Sequence, residues 1–361
     1  MRSEPARFAV VGTGWRSQFF LRLAQMAPEE LHAVGVVTRS PERAAEVQAQ
    51  WGVPGYLGLD ELLSKESPEF VVSSVPWAVT PQVVREAVAQ RLRVLAETPP
   101  APDADGLRAL WADVGESGLV QVAEQYLLMP GHAARMAVLR EGVIGQVTSV
   151  QVSSTHLYHA TSMIRLMLGA GFDPVTVRAS RFEAPLANPL SPAGWSGSGD
   201  TEPLGTTIAT LDFGDGRSGV YDFTDNQWWN PLRARRVVVR GSRGEIVDDS
   251  VVRLLDPTTP VESTFARRQL GYDLNLEGVG VDTIAFEGRV LYRNPFPGAR
   301  FSDDDLAVAT ILRDTALWAR DQAPAPYPLA DGCQDHLLGL AIEESARTGQ
   351  AVTTAREAWS R

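Results

Sequence analysis

Residues 12–17 read Gly-Thr-Gly-Trp-Arg-Ser, and the place of this turn in the chain constrains the fold more than any other feature. It follows an apolar run at 8–12, short and continuous as in a strand buried on both faces, and it precedes a helical pattern at 17–26. The alternation then repeats. Strands are expected at 31–37 and 69–75, the latter ending at Pro76, with a helix between them that Ser40-Pro41-Glu42 caps and that runs through Gln50. A helix at 81–90 and a strand at 92–96 come next; Pro99, Pro100 and Pro102 interrupt regular structure before a helix at 105–117 and a strand at 119–123. Such alternation implies a parallel sheet with right-handed crossovers.

Within that unit the turn has the form G-x-G-x-x-S. Gly12 permits the tight turn, and Gly14 lets a pyrophosphate approach backbone N–H groups at a helix start, where the dipole favours an anion. Ser17 takes the position of a third glycine, whose task is close helix-to-strand packing. Residues 1–125 are therefore expected to form a Rossmann dinucleotide-binding domain, with Gly12, Thr13, Gly14, Trp15 and Arg16 at the cofactor. The second strand closes on Val37-Thr38-Arg39-Ser40, where an NAD site carries an acid that accepts from the ribose hydroxyls. Thr38 and Ser40 can donate to a 2′-phosphate and Arg39 can neutralise it, so NADP is expected over NAD; the alternative for Arg39 is a surface arginine beside a helix cap.

Past residue 125 the pattern changes. Strands at 147–153, 206–213, 217–224, 235–240 and 244–248 alternate apolar and polar residues, as in an antiparallel sheet, and helices at 303–322 and 331–348 close the chain. The fold class is α/β, with residues 126–361 as a second, substrate-binding and oligomerisation domain. Residues 184–203, rich in Pro, Gly and Ser and containing Trp195, read as a loop over the site or an interface. Apolar and aromatic residues on both faces of the 206–248 sheet point to a homodimer or homotetramer, with Trp228 and Trp229 at an interface.

The net charge of -11 disfavours nucleic acid as a partner, and a single cysteine, Cys333, excludes an intramolecular disulfide and a Cys-based metal site. No apolar run is long enough to span a bilayer, and residues 1–7 lack the pattern of a secretory leader, so a cytoplasmic protein is expected.

The chain resembles the glucose-fructose oxidoreductase, inositol dehydrogenase and rhizopine-catabolism family, Gfo/Idh/MocA, over nearly its whole length. The resemblance rests on Gly12-Thr13-Gly14, Thr38 to Ala44, Val75-Pro76, Val94 to Pro99, Glu141 to Val147, His159 to Gly169, and Gln334-Asp335-His336 through Gly349. It implies a second domain with a large open, mainly antiparallel sheet, chemistry on sugars or cyclitols, and Val75, Pro76 and Glu97 at the cofactor. The family's tripeptide Glu-Lys-Pro stands here as Glu97-Thr98-Pro99, which keeps a hydroxyl and loses the ammonium. Of its pattern Asp-x-x-x-His-x-x-Asp-x-x-Arg-x-x-x-Gly, His159, Arg165 and Gly169 remain, while Thr155 and Ser162 replace the acids.

On this resemblance the expected activity is hydride transfer between a nicotinamide cofactor and a hydroxyl or carbonyl of a small, polar, sugar-like substrate. His159 is the expected proton shuttle, Thr98 a positioning group, and Tyr126 a proton donor near the site. No metal is expected, since nothing completes a ligand set around His156 and His159. The departures at 98, 155 and 162 leave two alternatives: a redox-neutral dinucleotide-dependent glycosidase, and a non-catalytic dinucleotide or sugar sensor.

Overall fold

The apolar strand that opens the chain is paired on both sides, as its composition demands. In a computed structural model that describes residues 4–191, 193–271 and 280–360, β1 (Ala6–Val11) lies between β2 (Leu31–Val37) and β4 (Phe70–Ser73), all parallel. With β3 (Gly55–Tyr56), β5 (Val94–Ala96) and β6 (Val120–Val122) the sheet order is β3-β2-β1-β4-β5-β6. Helices α1 (Trp15–Met26), α2 (Pro41–Trp51), α3 (Leu59–Lys65), α4 (Thr80–Ala89) and α5 (Ala104–Val114) connect the strands. This is the doubly wound order, whose direction reverses between β1 and β4 and leaves a crevice there at the strands' carboxyl ends. Phe8, Val10, Val36, Val71, Val72, Val94 and Leu95 are fully buried in it. Ser40 caps α2 by accepting from Arg43 N at 3.2 Å, with Pro41 in the first turn.

After α6 (Pro130–Arg140) the chain adds β7 (Val147–Ser153), α7 (Leu157–Met167), β8 (Thr176–Ala187), β9 (Leu190–Ser191), β10 (Gly194–Trp195), β11 (Thr201–Asp212) and β12 (Ser218–Thr224). It continues through β13 (Arg236–Gly241), β14 (Gly244–Val247), β15 (Ser250–Asp256), β16 (Thr259–Thr264), β17 (Ala266–Leu270), β18 (Gly280–Phe286) and β19 (Arg289–Arg293). Helices α8 (Asp303–Ala319) and α9 (Leu329–Thr348) and the short β20 (Val352–Thr353) end it. Nine strands form one sheet in the order β16-β15-β14-β13-β7-β12-β11-β8-β20, antiparallel except where β12 runs parallel to β7. Smaller sheets pair β10 with β9 and set β18 between β17 and β19.

Residues divide into two compact units. The first comprises Met1–Ala133, Arg267–Ile284 and Tyr292–Cys333; the second comprises Ala134–Ala266, Ala285–Leu291 and Gln334–Arg361. A boundary is expected at 125, whereas the chain first passes to the second unit after Ala133 and crosses between the units several times thereafter. Helix α8, expected in the second domain, belongs with the Rossmann sheet, where Leu306, Val308, Ala309 and Leu312 are buried and Arg22 binds Asp305 at 2.5 Å. A capping box between Ser302 and Asp305 starts this helix.

Residues 184–203 are not a loop in the main: β8 and β11 run through them and pair from Thr201 opposite Ala187 inward to Asp212 opposite Thr176. The register puts Phe182, Ile208, Val247 and Val252 on one face of the large sheet, each more than 40 % exposed. That face also carries the ion pairs Arg236–Asp222 and Arg240–Glu245, so it is more polar than the sequence pattern suggested. The opposite face buries Val150, Val152, Ala209, Leu211, Tyr221, Val237, Val239 and Ile246.

Candidate functional site

In the first unit the glycine turn opens a cavity of about 790 Å³ at the carboxyl ends of β1, β2, β4 and β5. Gly12 has φ +117°, and a Cβ there would stand 2.1 Å from the Ser74 carbonyl oxygen, so no larger residue fits the turn. A Cβ on Gly14, in contrast, would meet nothing within 4 Å, which leaves open space before the first turn of α1. Ser17 is fully buried and donates to the same Ser74 oxygen at 3.2 Å; it holds helix to strand as a third glycine would by close packing. A tight turn, open backbone and a helix start together fit a pyrophosphate.

Of the residues expected at the cofactor, Gly12, Thr13, Gly14, Trp15, Arg16, Thr38, Arg39, Val75, Pro76 and Glu97 line this cavity, and so does Thr98. Ser40 does not line it, because its hydroxyl is spent at the cap of α2 and donates to Glu42 at 2.7 Å. Bonding to Ser40 holds the Glu42 carboxyl below its ordinary value. Arg39 is exposed and has no hydrogen bond or ion pair among the described residues. Leu57, Trp77, Val79, Gln82 and Glu86 also line the cavity and are not marked in the sequence, where the motif near 77 ends at Pro76 and none lies around 57.

Arg16 is held at the other end. Its Nε donates to Glu97 Oε1 at 3.0 Å, its Nη1 lies 3.9 Å from Asp304, and its guanidinium packs over the Phe19 and Phe20 rings. Burial works against this charge, but Glu97 and Asp304 outweigh it and the guanidinium is held above its ordinary pKa. Glu97, just after β5, thus holds the Arg16 cation in the same lining as Thr98, where the lysine is absent. Tyr126 lies in a single 3-10 turn at Tyr126–Leu128, half-buried, outside the cavity lining; its backbone N–H donates to the buried Glu124 at 3.0 Å.

In the second unit His159 sits in the first turn of α7, buried, its ring 4.4 Å from Tyr158 and 5.2 Å from His156 between centroids. Thr155 and Ser162 are fully buried; the Thr155 hydroxyl has no partner among the described residues, and Ser162 Oγ donates to the His159 carbonyl at 2.9 Å. Neither can charge the imidazole as a carboxylate would. Arg165 has a structural task instead, donating through Nε to Asp335 at 2.8 Å with both side chains buried. Burial, then the neighbouring His159, pushes the His156 pKa down to about 3, so this ring is neutral at pH 7.

Trp228, expected at an interface, packs within this unit, 4.8 Å from the rings of both His156 and Phe223. Among the described residues no group of three or more His, Cys, Asp or Glu side chains is placed to hold a metal ion. No described helix is long and apolar enough to cross a membrane.

Fold order, turn geometry and cavity define a dinucleotide-binding Rossmann domain. Residues 6–125 match the Gfo/Idh/MocA oxidoreductase family, NAD-binding Rossmann fold. No curated protein shows significant sequence similarity to the chain. Solved structures with the same fold include an oxidoreductase from Agrobacterium radiobacter in complex with NAD+, L-tartaric acid and magnesium (16% identity, TM-score 0.68, 96% of this chain and 98% of that one). A myo-inositol dehydrogenase from Corynebacterium glutamicum matches at 19% identity and TM-score 0.64, over 97% of this chain and 99% of its own. The WlbA dehydrogenase from Bordetella pertussis, in complex with NADH and UDP-GlcNAcA, matches at 16% identity and TM-score 0.63, over 98% and 99%.

Proposed function

We propose that this chain is a nicotinamide-dinucleotide oxidoreductase that acts on a hydroxyl or carbonyl of a small, sugar-like or cyclitol substrate, with NADP as the preferred cofactor. The carrying observation is the cavity in which the Gly12–Gly14 turn, the β2 end with Arg39 and the β5 end with Thr98 share one lining. When bound there, a nicotinamide ring supplies or accepts the hydride. Gly12 shapes the turn, the backbone N–H groups before α1 take the pyrophosphate, and Thr38 with Arg39 receives the 2′-phosphate.

On this reading His159 takes and returns the substrate proton at a ring nitrogen, Thr98 is a positioning group, and Tyr126 is a further proton donor. Solved relatives of this fold bind or act on tartaric acid, inositol and a UDP-sugar, which supports a polyhydroxylated substrate. The outer face of the nine-stranded sheet, with Phe182, Ile208, Val247 and Val252 exposed, is proposed as the surface that pairs subunits into a homodimer or homotetramer in the cytoplasm.

Steady-state turnover with NADPH or NADP across sugars, cyclitols and keto-sugars tests the activity, and no turnover above buffer with any of them would refute it. A second reading has a specific basis: Thr98, Thr155 and Ser162 supply neither ammonium nor carboxylate, so a sensor would bind the dinucleotide without oxidising anything. Intact binding combined with absent turnover favours that reading. Release of aglycone from aryl glycosides without added cofactor would instead mark a redox-neutral glycosidase.

A further inference from the structure

A second cavity, of about 510 Å³, lies wholly within the second unit and shares no lining residue with the cavity at the glycine turn. Its floor is the inward face of the large sheet, where the register sets Arg181 of β8 opposite Thr207 of β11 and Thr207 opposite Phe223 of β12. Its walls come from Leu157 at the start of α7, Trp228 after β12, and Glu343 and Arg347 near the end of α9. Leu157 has φ +31°, a conformation unfavourable to a bulky side chain, and its N–H donates to the Tyr221 hydroxyl at 3.3 Å. Strain of this kind collects where a site is being shaped.

The charges of the lining are unevenly spent. Arg181 donates to both Asp225 oxygens, at 3.4 and 2.5 Å, and Arg347 donates to Glu344 on its own helix at 3.1 and 2.6 Å. Glu343 is exposed and has no hydrogen bond or ion pair among the described residues. What burial it has raises its carboxyl above the ordinary value, and no cation offsets that. Both cations are therefore occupied while one carboxylate is left over, in a lining that also holds the half-buried Trp228 ring, whose face attracts positive charge. An anion would have to draw Arg181 or Arg347 away from its carboxylate. A cation displaces nothing.

We propose that this cavity binds a small organic cation, a protonated amine carried on a ring, with the amine at Glu343 and the ring against Trp228. His156, in the same lining, stands 4.8 Å from the Trp228 ring and 5.2 Å from that of His159, so the bound ligand lies one imidazole from the expected proton shuttle. The His156 ring is neutral at pH 7 and does not repel an ammonium. Such an amine belongs either to the substrate, away from its reacting carbon, or to a separate ligand beside the site. Its binding does not rest on the dinucleotide reading.

Saturation-transfer NMR on the full chain at pH 6.5, titrating glucosamine, glucose, N-acetylglucosamine and glucuronate, reads the charge preference. Glucosamine is expected to bind about tenfold tighter than glucose or N-acetylglucosamine, and glucuronate weakest of the four. Glu343→Gln, at an exposed position, should keep the parental Tm and bring glucosamine within about twofold of glucose. Trp228→Phe, which keeps a ring face, should retain the preference that Trp228→Leu reduces about threefold. No binding of glucosamine, equal binding of glucosamine and glucose, tighter binding of glucuronate, or a preference unaltered in Glu343→Gln overturns the proposal. With NADP added, formation of NADPH from glucosamine assigns the amine to the substrate, and binding without reduction assigns it to a separate ligand. Failure of NADPH to bind bears on the proposed function alone.

Discussion

Replacing Gly14 with alanine separates the site from the fold more cleanly than any other single change. Gly14 has φ -71° and ψ 179°, a conformation open to every L-residue, and a Cβ there meets nothing within 4 Å. The fold therefore bears the methyl without strain. Stiffening the unfolded chain, worth about 0.4 to 1 kcal/mol, is offset by the poorer N-cap that alanine makes for α1, so Tm should stay within about 3 °C of the parent. The same methyl occupies space a pyrophosphate must use to reach the backbone N–H groups, so dinucleotide affinity should fall about tenfold to a hundredfold, some 1.4 to 2.7 kcal/mol. Thermal unfolding and titration of NADPH by intrinsic fluorescence measure the two effects. Gly12→Ala provides the contrast: φ +117° and a 2.1 Å approach to Ser74 O should lower both Tm and affinity. Parental affinity in Gly14→Ala would refute the placement of the pyrophosphate.

Arg39→Ala should weaken NADPH by about 1 to 3 kcal/mol and leave NADH nearly unchanged in parallel titrations; equal losses would mean that Arg39 does not read the 2′-phosphate. His156, with its folded pKa near 3 against 6.5 unfolded, binds its proton only in the unfolded chain between those values. Its contribution to stability is complete above pH 6.5 and falls as pH drops toward 3, by about 1.4 kcal/mol at pH 5.5. His156→Gln should lose that share of the pH dependence in urea unfolding at pH 7.0 and 5.5, and an identical slope in both proteins would count against it. Arg165→Met removes the buried guanidinium that pairs with the Asp335 carboxylate and should cost about 3 to 5 kcal/mol, read from the denaturation midpoint. Thr98→Lys should raise dehydrogenase turnover, modestly while position 155 lacks a carboxylate; no gain with cofactor still bound would favour the sensor.

Much of the Rossmann domain was legible because its determinants are local. Strand 31–37 and the Ser40 cap came out as read, since a continuous apolar run and a Ser-Pro-Glu start need no tertiary partner to declare themselves. The glycine turn was legible for the same reason. Short β3 and α3 passed unnoticed, being too brief for any period to register. In residues 184–203 exposure on both faces of the outer strands removed the alternation that marks a half-buried strand. Helix α8 was assigned to the wrong unit because an amphipathic pattern says that a face is buried and not which sheet buries it. Arg165 and Asp335, 170 residues apart, carry no local sign of their pairing. Trp77 follows the Val75-Pro76 motif without belonging to it, and its place is seen only in the cavity lining.

On the proposed function this chain binds a phosphorylated nicotinamide dinucleotide at the Gly12–Gly14 turn. Isothermal titration of the purified chain with NADPH and then NADH tests it most directly. One NADPH per chain, held at least about tenfold tighter than NADH through Arg39, is the expected result. Folded protein that gives no binding heat with either dinucleotide, and that releases none on denaturation by mass spectrometry, would contradict it.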